Sequence, residues 1–199
     1  MENEPLIDEP LKHELSALYG AEGRHYHNFG HIEAMLALAA HYRASLHDPE
    51  AVEAAIWFHD AIYDSTAKDN EAQSAALAEK KLAGRADPER LRRILAMIIA
   101  TATHELPRLD DEHSVRDAAL FLDMDLSILG AAPQVFDAYE QAIRREYGWV
   151  EEPMWRVGRG AVLRNFLARQ HIFHTDEFRQ RFEQKARRNM ARSLKSLEQ

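Results

Sequence analysis

Asp48-Pro49-Glu50-Ala51-Val52-Glu53-Ala54-Ala55-Ile56-Trp57-Phe58-His59-Asp60 is the stretch from which the fold reads most directly. Asp48-Pro49 is a helix start, because an aspartate can cap free amides and a proline needs no amide of its own in the first turn. From about Glu50 onward Val52, Ala55, Ile56 and His59 recur at three- and four-residue steps, which places them on one helical face. Asp60 lies one turn beyond Ile56. An imidazole and a carboxylate therefore continue an apolar face at the C-terminal end of this helix. An unpaired carboxylate is costly to bury, so Asp60 is expected to meet a cation or hydrogen bonds.

The same spacing governs the rest of the chain. A helix over about residues 28–46 carries Phe29, Ile32, Leu36 and Ala39 as a stripe, with His31 at its edge beside Met35 and Leu38 and His27 one turn earlier. Another, over about 113–129, sets Val115, Ala118, Leu122, Asp125 and Leu129 on one seam. Asp125 has Phe121, Leu122, Ile128 and Leu129 as one-turn neighbours, against Ala119, Leu120, Leu126 and Ser127 for Asp123, so Asp125 is expected to be the inward one. The last helix, about 176–197, is amphipathic, with Phe178, Phe182, Ala186, Met190 or Asn189, Leu194 and Leu197 inward and arginines around them. Breakers at Gly20, Gly23, Pro49, Gly84, Pro88, Pro107, Gly130, Pro133, Gly148 and Pro153 separate these segments, and no alternating run is bounded by hairpin turns. The expected fold class is all-α, a bundle of about eight or nine helices. No linker divides the chain, so one domain over 1–199 is expected, with a site core at about 24–130 and C-terminal helices 133–197 packed on it. Trp57, Trp149 and Trp155 are read as packing residues.

Composition narrows the chemistry. The chain has 199 residues, 25 Lys+Arg against 33 Asp+Glu for a net charge of −8, no cysteine and 11 histidines. Without cysteine there is no disulfide framework, zinc ribbon, iron–sulfur cluster or thiol nucleophile, so any metal chemistry must use His, Asp and Glu. The acidic balance argues against long nucleic acid as a partner, which would need a basic footprint. Apolar runs such as Ala34–Ala40 and Ile94–Ala100 are far shorter than the roughly 18 residues of a membrane span. The acidic start Met1-Glu2-Asn3-Glu4-Pro5 lacks the basic-then-apolar order of a signal peptide, so no membrane association and a cytoplasmic location are expected. The sequence carries no signal for an oligomeric state.

His31, the His59-Asp60 pair and Asp125 thus fall on inward helix faces. Two imidazoles and two carboxylates suit a divalent metal ion, Mn, Fe, Ni, Co, Mg or Zn, with coordination positions left for water and substrate. One such histidine alone would more often be structural; several polar residues on apolar seams favour a metal site. Arg24, Arg159 and Arg164 could each grip a phosphate, although the commoner role of such residues is an ordinary ion pair.

In an all-helical chain, this order of His31, His59-Asp60 and Asp125 resembles the HD superfamily of metal-dependent phosphohydrolases. Tyr26-His27-Asn28-Phe29-Gly30-His31 is similar to the Y-H-N-x-x-H segment of the cyclic-nucleotide phosphodiesterases in that superfamily, and Asp125-Leu126-Ser127 to their D-L-S. The wider context resembles a group of small bacterial HD phosphohydrolases. It comprises Ala54 through Asp64, Asp69-Asn70-Glu71, Phe121 through Gly130, Gly158-Arg159 and Arg187-Arg188-Asn189. The resemblance implies His31, His59, Asp60 and Asp125 as metal ligands and His27 as the general acid that protonates the leaving oxygen, with His27 and Asp60 as the catalytic pair. It leaves Asn28, Asp64, Glu71, His104 and Asp123 as weaker candidates for substrate contact or support behind the ligands. A second metal centre would need a further histidine shortly after the doublet, where this chain reads Ala61-Ile62-Tyr63-Asp64. The expected substrate is a small-molecule phosphate ester, a nucleotide or related phosphometabolite. The alternatives are a regulatory metal- or nucleotide-binding module and a di-iron oxygenase of the same fold.

Overall fold

The computed structural model describes residues 5–199 and, among these, consists of helices without strands. Nine helical runs follow one another: α1 (Glu9–Tyr19), α2 (Phe29–His41), α3 (Pro49–Phe58), α4 (Asn70–Leu82), α5 (Pro88–Ala100), α6 (Glu112–Leu126), α7 (Pro133–Glu146), α8 (Glu152–Ala168) and α9. The last is continuous through Asp176–Phe178, a π-helical stretch Arg179–Glu183, and Gln184–Leu197. The all-α expectation holds. Short 3₁₀ turns at Arg43–Ser45 and Ser127–Gly130 end the longer helices expected over 28–46 and 113–129.

The starts follow from sequence. Asp8, Asp48 and Asp87 each accept a hydrogen bond from the amide three residues on, at Leu11, Ala51 and Arg90, with a proline in the first turn of the helix they cap. Asn28 caps α2 through the amide of Gly30.

By contacts the chain divides into two compact units, one ending at Met124 and the other Asp125–Gln199. The division falls inside α6, which therefore runs on unbroken from the first unit through Asp125 and Leu126. In the first unit α3 is the centre: α1, α2, α4 and α5 all pack on it, and Ala51, Val52, Ala54 through Phe58 are buried. Only Pro49, Glu50 and Glu53 near its start reach solvent, each glutamate paired with an arginine, and the rest of the helix is covered by its neighbours. Ile94, Met97 and Ile98 of α5 complete that core. In the second unit, α9 packs on α8 and on the Ser127–Gly130 turn. Asn189 of α9 donates to the carbonyls of Leu129 (2.9 Å) and Ala131 (3.0 Å), and Gly130 lies so close to Phe182 that a β-carbon there would stand 2.6 Å from the phenylalanine's own.

Two details of packing differ from expectation. On α2 the buried face is His31, Ile32, Met35 and Ala39, while Phe29 and Leu36 are only partly covered, so His31 lies within the stripe instead of at its edge. Trp57 and Trp155 are packing residues as expected, but Trp149 is 59% exposed, because it sits in the turn after α7, where no helix covers it.

Candidate metal centre

His59 follows α3 directly: its backbone is still helical and its amide donates to Ala55, so the imidazole continues the buried face of the helix. Its side chain is 1% exposed. The Nδ1–H donates to the carbonyl of Ile56 at 2.9 Å. A carbonyl can only accept, so in the neutral ring the proton is on Nδ1 and Nε2 carries the lone pair.

His31 enters from the first turn of α2. Its Nδ1 lies 3.1 Å from the hydroxyl of Tyr26, which can accept the ring proton in the same way, and its Nε2 points at that of His59, 3.2 Å away. Asp60 adds an oxygen: Oδ2 is 3.0 Å from Nε2 of His59 and 3.8 Å from Nε2 of His31. Asp125, the last residue but one of α6, brings a carboxylate oxygen to within 4.8 Å of both imidazoles, making a group of His31, His59 and Asp125 that could hold a metal ion. Ligands about 2.1 Å from one ion stand roughly 3.0–3.4 Å apart at octahedral or tetrahedral angles, which is the spacing of the two Nε2 atoms. Two lone pairs facing each other across such a gap repel unless a proton or a cation lies between them. The donors, their tautomers and their spacing fit a divalent ion.

Electrostatics favour the same state of Asp60. Burial acts to raise its pKa, but the charge that the His59, His27 and His31 rings carry when protonated, together with the hydrogen bond from His59, outweighs it and holds the carboxyl well below the usual carboxylate range. Asp60 is therefore an anion at any physiological pH.

Held positions explain the convergence. Buried Asp117 of α6 accepts from the amides of His47 (2.8 Å) and Asp48 (2.7 Å) at the start of α3, while Phe121 of α6 meets the ring of His59, centroids 5.9 Å apart, at its end. Being tied to α3 at two levels, α6 delivers Asp125 one turn beyond Phe121. Past the doublet, Ser74 of α4 accepts from the amide of Ile62 (3.0 Å) and donates to its carbonyl (3.2 Å), and Asn70 exchanges two hydrogen bonds with the backbone of Asp64.

The remaining candidates divide by role. The His27 ring stacks on Tyr63, centroids 4.1 Å apart, and lies 6.5 Å from the ring of His31. Asn28 is the cap of α2 and also donates to the carbonyl of His25. Asp64 closes a turn on the amide and hydroxyl of Thr66. Glu71 stands in the first turn of α4. His104, at φ 53°, ends α5 by returning its amide to Ala100. Asn28, Asp64 and His104 thus have local structural work. Asp123 is fully buried and Asp125 only partly, reversing the expected order of burial; Leu120 through Leu122 and Met124 are buried too, so this part of α6 is covered all round and its one-turn neighbours do not distinguish the two.

The three arginines read as phosphate grips are engaged otherwise. Arg159 pairs with Glu140 and donates to the hydroxyl of Tyr139, Arg164 pairs with Glu198, and Arg24 binds backbone carbonyls. Tyr26, which orients His31, has no role that the sequence motif itself discloses. Its signal is a phenol five residues before an inward histidine, across a helix cap.

No family model, no curated protein and no solved structure matches the chain. Among the described residues no single helix is long and apolar enough to cross a membrane.

Proposed function

We propose that this chain is a metal-dependent phosphohydrolase of the HD type, acting on a small phosphate ester such as a nucleotide. The observation that carries the reading is the convergence of the His31 and His59 Nε2 atoms, each with its Nδ1 engaged behind it, beside the carboxylates of Asp60 and Asp125. That phosphate is the target rests on the resemblance of the Tyr26–His31 and Asp125–Ser127 segments.

When bound, a divalent ion held by His31, His59, Asp60 and Asp125 supplies Lewis acidity for water activation and for polarising a phosphoryl oxygen. Asp60, whose carboxyl lies well below the usual carboxylate range, contributes the negative charge that favours a cation here. His27 lies outside the group that converges for metal, its ring held against Tyr63, and gives its proton to the leaving oxygen of the ester. Asn28 fixes the start of α2, and with it the one-turn offset between His27 and His31.

The test is phosphate release from a panel of phosphomonoesters, phosphodiesters and nucleotides, using metal-stripped protein refilled singly with Mn²⁺, Ni²⁺, Co²⁺, Mg²⁺ or Zn²⁺. Turnover that requires metal and vanishes in Asp60→Ala supports the assignment. Protein that holds metal yet releases no phosphate from any of them overturns it.

A further inference from the structure

Arg24 stands in the turn between α1 and α2, an ordinary position for a solvated cation, yet its guanidinium is directed at backbone carbonyls of two segments. Nη1 donates to the carbonyl of His27 (2.9 Å) and to that of Asp60 (2.7 Å), and Nη2 donates to the carbonyl of Ala61 (2.9 Å). Its carbon lies 5.2 Å from the ring centroid of Tyr19 and 5.6 Å from that of Tyr63, both within cation–π range. Tyr63 is also the ring on which His27 stacks, and Tyr19 donates through its hydroxyl to the carbonyl of Trp57, near the end of α3.

One planar fork therefore joins two segments that the chain separates by more than thirty residues. On one side is His27, four residues before His31; on the other is the backbone of Asp60 and Ala61, immediately after His59. Only arginine presents donors in a rigid plane able to bridge carbonyls on separate segments while its face rests on aromatic rings. Asp60 and Ala61 lie just beyond α3, where helical hydrogen bonding no longer fixes the chain, so an external donor has to hold their carbonyls.

We propose that Arg24 is a positioning residue of the metal centre: it sets the His59-Asp60 doublet and the His27–His31 segment at their mutual distance, and so fixes the affinity for the ion. This rests on the reading of His31, His59, Asp60 and Asp125 as metal ligands, but not on the nature of the substrate. Groups that orient ligands from behind change metal affinity by about 10–100-fold when removed.

Titration of metal-free protein with Mn²⁺, following the loss of the free-ion electron paramagnetic resonance signal, tests it without any substrate. Arg24→Ala is expected to bind Mn²⁺ about 10–100-fold more weakly than wild type. Sub-denaturing guanidinium, which fits the vacated fork, is expected to restore most of the affinity to Arg24→Ala and to leave wild type unchanged. Arg24→Lys keeps the charge without the fork and is expected to remain weak, which keeps the idea falsifiable should Arg24→Ala fold poorly. Asp48→Ala, destabilised at the far end of α3, is the comparison for a loss of stability alone and is expected to bind nearly as wild type does. Wild-type affinity in both Arg24 variants overturns the role of Arg24 while leaving the metal reading intact. Equal weakening in Asp48→Ala also overturns it, since stability alone would then explain the loss. A wild-type protein that takes up no ion overturns both.

Discussion

Tyr26 and the carbonyl of Ile56 settle which nitrogen each imidazole turns toward the other. Removing the phenol alone, in Tyr26→Phe, leaves all four ligands and is expected to lower metal affinity by about 10–100-fold, measured by calorimetric titration of metal-free protein. His27→Ala separates proton transfer from metal binding: turnover is expected to fall by about 10²–10⁴-fold with metal affinity little changed. Equal loss of both in His27→Ala would make His27 part of the metal site instead. The sequence shows His31, His59 and Asp60 plainly, because polar residues at helical spacing on apolar faces are conspicuous. It ranks Asp125 against Asp123 poorly, because α6 is covered all round at Leu120–Met124 and both carboxylates have apolar neighbours. Arg24 reads as a possible phosphate grip or an ordinary ion-pair residue, since nothing in a sequence reveals that carbonyls of two distant segments converge on one guanidinium.

Among the elements, α3 carries the heaviest burden, with its cap at one end and the metal ligand at the other. Asp48 accepts the Ala51 amide and holds Arg90 through both oxygens, at 2.7 and 2.5 Å. Burial acts against ionisation of Asp48, but the Arg90 hydrogen bonds, the Ala51 amide and the nearby Arg93 together leave its carboxyl below the ordinary range. A carboxyl whose pKa is lower folded than unfolded stabilises the fold above the unfolded value, about pH 3.9, and that contribution is lost as pH falls through the lower folded value. Asp48→Ala is therefore expected to cost about 1–3 kcal/mol at neutral pH by urea unfolding, with the gap to wild type narrowing below about pH 4. A gap unchanged into acid would show that the capping shape, not the charge, matters. On the other unit, Gly130→Ala must push a β-carbon against Phe182 and its backbone, and is expected to cost about 1–3 kcal/mol in the same assay. Capping residues and prolines make the starts of α1, α3 and α5 legible in sequence. The ends are less so, because the 3₁₀ turns after α2 and α6 keep helical spacing while changing the hydrogen bonding.

At the scale of the molecule, metal and stability are coupled, because the ligands come from α2, the end of α3 and α6, which the unfolded chain does not bring together. An ion that binds only the folded state at about 100 times its dissociation constant adds roughly 2.7 kcal/mol. For a chain of this size the melting temperature is expected to rise by about 5–10 °C, read by differential scanning fluorimetry, and chelation should reverse it. Asp60→Ala should show little of that rise. The all-helical class is legible throughout, since 3.6-residue periodicity persists and no alternating run competes with it. The sequence reading separates a core at about 24–130 from helices 133–197, while the contacts divide the chain inside α6, where no change of composition marks the boundary and a single helix runs through it.

The most direct measurement is an anomalous-difference map from crystals of metal-stripped protein soaked in Zn²⁺. The account predicts one strong peak about 2.0–2.1 Å from the Nε2 atoms of His31 and His59, with carboxylate oxygens of Asp60 and Asp125 about 2.0–2.2 Å away. A map with no peak between the two imidazoles, from crystals shown to contain zinc, would contradict it.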